Sequence, residues 1–236
     1  MGKLTGRTVA KKSFSRSKRH CRPAIFFSTC RQFLPNFILV PHLVLGAKDC
    51  DVSVLKLLKY GYLAYFSQPK SHRILHQAIR KTPPRSILEL GVGTGLLTKK
   101  LLEQVLDHHV ATEVRYTGID LFEARPADRP GLPFKQAHAT FKPFGVKLQF
   151  IPGDPFSALS RAANGLLQTD LIIIHDDQDP DSLARAWMYV PRMLHDKSLV
   201  YREEPAAKGE TQFRLLPRSE IDALAATSQR NTRRGA

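Results

Sequence analysis

Residues 87–98 read ILELGVGTGLLT, an apolar run holding one carboxylate, Glu89, that leads straight into three alternate glycines, Gly91, Gly93 and Gly95. Glycines at every second position strip side chains where a backbone must turn sharply or lie against something flat. Ser86–Leu90 has the length and composition of a buried strand. Leu96–Leu106 sets Leu97, Leu101, Leu102 and Val105 in a helical stripe. The glycines therefore turn a strand into a helix, a place where helix N-terminal amides suit a nucleotide-type ligand. The dinucleotide fingerprint G-x-G-x-x-G needs its third glycine at 96, which is Leu96, and no Gly-Lys-Ser/Thr loop exists. The register matches neither of these phosphate readers.

Outward from this turn the pattern alternates. Tyr116–Ile119, Lys147–Ile151, Leu171–Ile174 and Ser198–Tyr201 read as further strands. Phe134–Phe141, Pro155–Ala163 and Asp181–Leu194 read as the helices between them. Upstream, Asp51–Phe66 and Ser71–Lys81 form N-terminal helices, the second ended by Pro83-Pro84. Strand–helix repetition at this spacing predicts an α/β fold, a Rossmann-like, doubly wound, mostly parallel sheet with helices on both faces. Ligands of such sheets bind beyond the carboxyl ends of the strands. After the fifth strand only Gln212–Leu216 and a short helix, Ser219–Ala226, are expected, a truncated C-terminal strand region.

A carboxylate at Glu89 repels a pyrophosphate and attracts a cation. An acid-x-Gly-x-Gly-x-Gly turn, with YTGID (116–120), FIPGDPF (150–156) and LIIIHDD (171–177) ending the next strands, resembles the class I S-adenosylmethionine-dependent methyltransferases over residues 71–204. The resemblance implies S-adenosyl-L-methionine as cofactor. It implies that Gly91, Gly93 and Gly95 admit it to the backbone, with Glu89 on its methionine side. It places Asp120 and the adjoining Leu121 at the ribose, and Asp154 with Pro155 at the adenine. Asp154 also reads as a helix N-cap before Pro155. Beyond the fourth strand, His175 is a candidate general base, with Asp176 beside it. The implied reaction is methyl transfer to a small-molecule acceptor, at a hydroxyl oxygen, loosely nearest to the small-molecule O-methyltransferases. In those relatives acids after strands four and five hold a divalent cation such as magnesium. Here Glu203-Glu204 stands where the usual ligand set ends in Asp-Asn, so no metal ligand is assigned. The Asn/Asp-Pro-Pro-Tyr/Phe element of base-methylating relatives is missing at Asp177-Gln178-Asp179-Pro180, which disfavours nucleic acid as the substrate. The competing readings are an NAD(P)-dependent oxidoreductase and a non-catalytic cofactor-binding domain tethered by a basic arm.

The chain of 236 residues carries a net charge of +15. Nine Lys/Arg and no acid lie within residues 1–31, and Arg230, Arg233 and Arg234 close the chain, leaving 24 Lys/Arg against 21 Asp/Glu between them. Basic ends of this kind bind nucleic acid or anionic membrane, or are solvated and disordered. The reading is a basic, irregular extension over 1–48, N-terminal helices over 49–84, the cofactor-binding domain over 85–227 and a disordered basic tail over 228–236. Cys21, Cys30 and Cys50 show no paired spacing, which suits a reducing, cytoplasmic setting. Residues 32–47 are apolar but broken by Pro35 and Pro41, too short to span a bilayer.

Overall fold

Side chains alternate across a strand, so each strand of a two-faced sheet feeds two cores. In the computed structural model, which describes residues 47–206 and 209–234, β1 (Ser86–Leu90) points Ile87 to one core and Leu88 and Leu90 to the other. The strands β2 (Arg115–Asp120), β3 (Lys147–Pro152), β4 (Leu171–Ile174), β5 (Leu199–Pro205) and β6 (Thr211–Leu215) complete one sheet of order β3-β2-β1-β4-β5-β6. All neighbours run parallel except β5 and β6. The order reverses between β1 and β4, which sets a crevice above their carboxyl ends. The fold is thus the Rossmann-like, mostly parallel sheet that the sequence predicts.

The first face is covered by α2 (Arg73–Lys81), α3 (Leu96–Leu106) and α4 (Phe134–Phe141), through Leu75 and Ile79, Leu101 and Leu102, and Phe141. The second is covered by α5 (Pro155–Ala162), α6 (Pro180–Ala186), α7 (Val190–Met193) and α8 (Arg218–Arg234), through Leu159, Leu183, Met193 and Ile221. Trp187 is buried in this second core, a packing role. Ahead of them α1 (Ala47–Tyr65) pairs Lys56 with Asp107 and Lys59 with Glu103 of α3. No described helix is long and apolar enough to cross a membrane. The basic extension, up to residue 46, lies outside the described residues.

Three elements differ from expectation. The helix expected over Asp181–Leu194 breaks into α6, a 3₁₀ turn at Trp187–Tyr189 and α7; Pro191 lacks the amide that continuity needs and crowds the carbonyl four residues back. β5 extends to Pro205 because β6 pairs with it in antiparallel register, Tyr201 opposite Leu215 and Pro205 opposite Thr211. The largest correction concerns the C-terminus: α8 runs to Arg234, where a short helix and a disordered tail were expected. Its start is held by Arg214, whose guanidinium donates to both Glu204 and Glu220 at 2.7–2.9 Å. Its far half is held by Ser228, buried and donating to the Arg185 carbonyl at 2.7 Å. Ile221, Ala225 and Ser228 fall at helical spacing on the buried side.

Ser228→Ala is expected to cost about 1 kcal/mol, the net worth of one buried hydrogen bond. Thr227→Ala, on the exposed side, should stay within about 0.5 kcal/mol. Urea denaturation of the two variants measures both; equal, negligible effects would mean that the far half of α8 does not dock.

Candidate active site

Along β1, β4 and β5 the side chains facing the first core read Ile87, Glu89; Leu171, Ile173, His175; and Tyr201, Glu203. Each apolar series ends in a titratable group at the carboxyl end, so strand adjacency alone gathers three of them. His175 lies between the two acids, its Nε2 3.0 Å from Glu89 Oε1 and its Nδ1 3.0 Å from Glu203 Oε2. The remaining oxygens are also engaged. Tyr116 and Thr98 donate to Glu89 Oε2 at 2.6 and 2.8 Å, and Thr211 donates to Glu203 Oε1 at 2.5 Å. The edge of the Phe213 ring closes the cluster at 5.4 Å from the imidazole.

Two carboxylate acceptors on one imidazole require two N–H donors, so the ring is an imidazolium. Burial opposes that charge, but the hydrogen bonds to Glu203 and Glu89 outweigh it and push the pKa of His175 up to about 10. Burial acts on Glu203 too, yet the bond from His175 holds its carboxyl below the usual range. This corrects two sequence expectations. His175 has no free nitrogen with which to accept a proton near neutrality. Glu89, 1% exposed, spends both oxygens inside the protein and does not face a ligand directly.

The glycine turn divides its work. A side chain at Gly91 (φ +94°) would meet Gln178 at 2.5 Å and Asp177 at 2.6 Å, and one at Gly95 (φ +70°) would meet Phe141 at 2.7 Å and Leu132 at 2.9 Å. Those two glycines are bare so that neighbouring segments can close on them. Gly93 alone of the three has open space beside it. It borders a cleft of about 310 Å³ lined also by Gln68, His72, Lys100, His175, Asp176 and Asp177.

Asp120 stands at the end of β2 as expected, but its carboxylate is already occupied. Gly93 and Phe122 donate their amides at 2.9 and 3.0 Å, and Arg125 donates Nε and Nη2 at 2.6 and 2.7 Å. Four donors use the acceptor sites that a carboxylate has. Burial would raise its pKa; the Arg125 bonds and the two amides bring it below the usual range. Arg125 reaches on to Asp177 Oδ2 at 2.7 Å, and Arg129 to the Asp177 carbonyl at 2.6 Å. The segment 125–131 therefore straps the end of β2 to the segment after β4. Gly131 lies against the Arg125 side chain so closely that a Cβ would stand 2.5 Å from it.

Behind the strap, Asp120, Leu121, Asp154 and Pro155 line a cavity of only about 30 Å³, room for roughly one or two waters. Asp154 caps α5, accepting from the amides of Phe156 and Ser157 at 3.1 Å and from the hydroxyls of Ser157 and Ser182. Burial is outweighed by these bonds, which lower its pKa to about 2. Asp176 faces the open cleft. Burial and the charges of Glu203 and Asp177 raise its pKa above the ordinary carboxylate value. Among the described residues no three His, Cys, Asp or Glu side chains gather as a metal-binding group: Glu203 is turned to His175 and Glu204 to Arg214.

Sequence reasoning missed three cleft residues and the arginine of the strap. Gln68 and His72 come from the turn before α2, Lys100 from α3 and Arg125 from the loop after β2. Burial and the nearby His175 charge lower the pKa of His72 to about 4, so its imidazole is neutral at pH 7. The only local signal for Arg125 is a Pro- and Arg-rich loop, ARPADRPG (124–131), directly after a strand that ends in an acid.

No protein-family model matches the chain, and no curated protein matches it in sequence. It is similar to several solved structures. One is a TehB-like S-adenosylmethionine-dependent methyltransferase from Corynebacterium glutamicum, 17% identical over 76% of this chain and 83% of that one, with a TM-score of 0.41. Another is an O-methyltransferase from Bacillus cereus in complex with S-adenosylhomocysteine, 15% identical over 71% of each chain, with a TM-score of 0.45. A third is 1,6-didemethyltoxoflavin N1-methyltransferase from Burkholderia thailandensis, 17% identical over 81% of each chain, with a TM-score of 0.40.

The imidazolium makes stability depend on pH in a defined direction. A histidine raised from 6.5 to about 10 on folding stabilises the fold fully below pH 6.5, and that contribution is lost as pH rises through about 10. His175→Gln should cost about 3–5 kcal/mol at pH 6, because it strands two buried carboxylates. The gap between wild type and variant should close as pH rises through about 10. Denaturant melts across that range measure the gap; one that stays constant with pH would show that His175 is neutral in the folded protein.

Proposed function

We propose that the protein is an S-adenosylmethionine-dependent methyltransferase acting on a hydroxyl oxygen of a small molecule. The observation that carries this reading is the bare Gly93 backbone beside an open cleft at the carboxyl ends of the strands, flanked by Asp120 and Asp176. Asp176 and Asp177 line the cleft, with Lys100 as a nearby cation. Asp177 is paired with Arg125, so Asp176, which makes no ion pair among the described residues, is the carboxylate that favours a sulfonium over a diphosphate. Bound there, S-adenosylmethionine would supply an electrophilic methyl group and leave as a neutral thioether.

The residues fit the two halves of that cofactor differently. The open cleft along Gly93 accommodates the amino-acid side. On the nucleoside side, Asp120 holds the ribose hydroxyls only after Arg125 withdraws, since its acceptor sites are filled. Leu121, Asp154 and Pro155 then border the adenine. Asp176 takes the acceptor's proton: its raised pKa makes it a better base than an exposed carboxylate. His175 acts as a positioning residue, fixing the segment that carries Asp176 while remaining protonated.

Calorimetry with S-adenosylhomocysteine and with NAD⁺ tests the donor. Binding of the first and not the second is expected, and the reverse would overturn the reading. Asp120→Ala should weaken S-adenosylhomocysteine about 10-fold, the scale of lost charge-assisted hydrogen bonds. Arg125→Ala should strengthen it several-fold by freeing Asp120; weaker binding would make the guanidinium part of the site. With labelled donor and fractionated small-molecule extract, Asp176→Asn should lower kcat about 100-fold and leave S-adenosylhomocysteine affinity unchanged.

A further inference from the structure

The opposite end of the sheet carries a second concave site on its other face. Strand register places Ser86, Arg115 and Lys147 side by side on β1, β2 and β3, and puts Thr117 beside Gln149 one rank further up. Alternation directs all five away from the first core, since Tyr116, Leu148 and Phe150 belong to that core. They face the side covered by α5, yet that helix ends at Ala162, and only the turn at Gly165–Leu166 borders them. The result is a cavity of about 320 Å³ lined by Ser86, Arg115, Thr117, Lys147 and Gln149, as large as the cleft above the strands.

Two properties of this cavity suit an anion. Arg115 and Lys147 are direct partners on adjacent strands, and like charges placed so destabilise a sheet. Neither makes an ion pair among the described residues. The nearby acids are committed elsewhere: Glu113 to Arg85, and Asp170 to His195 and to the amides of Arg85 and Ser86. Second, Thr117 and Ser86 are only 5% and 7% exposed. Both residues line the cavity, where their hydroxyls can meet a ligand without breaking a side-chain hydrogen bond among the described residues.

We infer that this cavity is a binding site for a small phosphorylated ligand, whose oxyanion bridges Arg115 and Lys147 and accepts from Thr117 and Ser86. A phosphate group supplies a counter-charge for two juxtaposed cations and acceptors for the two hydroxyls beside them. Gln149 donates to the next atoms of the ligand. The site lies apart from the cleft, so its occupancy does not depend on the methyl-transfer reading.

The test is a titration of the full-length protein with inorganic phosphate and with pyrophosphate, at constant ionic strength, followed by calorimetry. The exposed pair Arg115→Gln/Lys147→Gln should weaken pyrophosphate at least about 10-fold. The control pair Arg80→Gln/Lys81→Gln, also exposed but on α2, should leave it unchanged. Thr117→Val, nearly isosteric, should weaken it about threefold while retaining the wild-type melting temperature. Equal loss in both double variants, or no pyrophosphate binding by the wild type, would overturn the proposal. So would a loss confined to a short single-stranded oligonucleotide, which would make the cavity part of a nucleic-acid surface.

Discussion

An imidazolium clamped between two buried carboxylates holds the carboxyl end of this sheet in one arrangement. Glu89, His175 and Glu203 belong to β1, the end of β4 and β5, and their secondary partners Tyr116, Thr98 and Thr211 belong to β2, α3 and β6. Removing three charges from water is costly, and the cost is offset only where geometry is good and every lone pair is used. Here every carboxylate oxygen and both ring nitrogens have a partner. The cluster carries one negative charge overall, and it sets the direction of the chain that leaves β4. Asp176 and Asp177 follow His175 immediately, so where the ring is pinned, one acid is presented to the cleft and the next to Arg125.

The fold was largely legible because its signals are local. β1, β4, α3 and α4 fall at the expected residues, each bounded by a glycine turn, a proline or a change of hydrophobic period. What the sequence concealed depends on partners distant along the chain. The outer half of β5 is polar and becomes a strand only because β6 lies beside it. The far half of α8 is equally polar, and a buried serine bonded to the Arg185 carbonyl helps to seat it, a contact no local pattern marks.

The site was legible in position but not in the state of its groups. Glu89, Asp120, Asp154 and His175 were identified separately as strand-end residues, and the structure does set them at strand ends. Their availability, however, is decided by residues that no motif marks. Arg125 fills the acceptor sites of Asp120, Ser182 and Ser157 fill those of Asp154, and two acids fix the proton on His175. A motif specifies which functional group stands at a strand end; the hydrogen-bond inventory specifies whether that group has anything left to offer. By that criterion Asp176 remains open to a ligand and Glu89 does not, while Gly93, its amide committed to Asp120, offers a bare backbone surface only.

The same alternation that builds the cluster also separates it from the lower cavity. Ser86 and Glu89 are three residues apart on β1, an odd interval, so they project from opposite faces of the sheet. At about 3.3 Å per residue they also stand roughly 10 Å apart along the strand. Gly118 lies between the two levels on β2 and has no room for a side chain, since a Cβ there would meet Val92 at 2.7 Å and Phe150 at 2.9 Å. The sheet is therefore packed tightly between a polar group at its upper end on one face and another at its lower end on the other. A charge change at Arg115 or Lys147 has no direct contact by which to reach His175. The two ends consequently present separate chemistries on one scaffold, a negative cluster beneath the cleft and an uncompensated positive pair at the opposite rim.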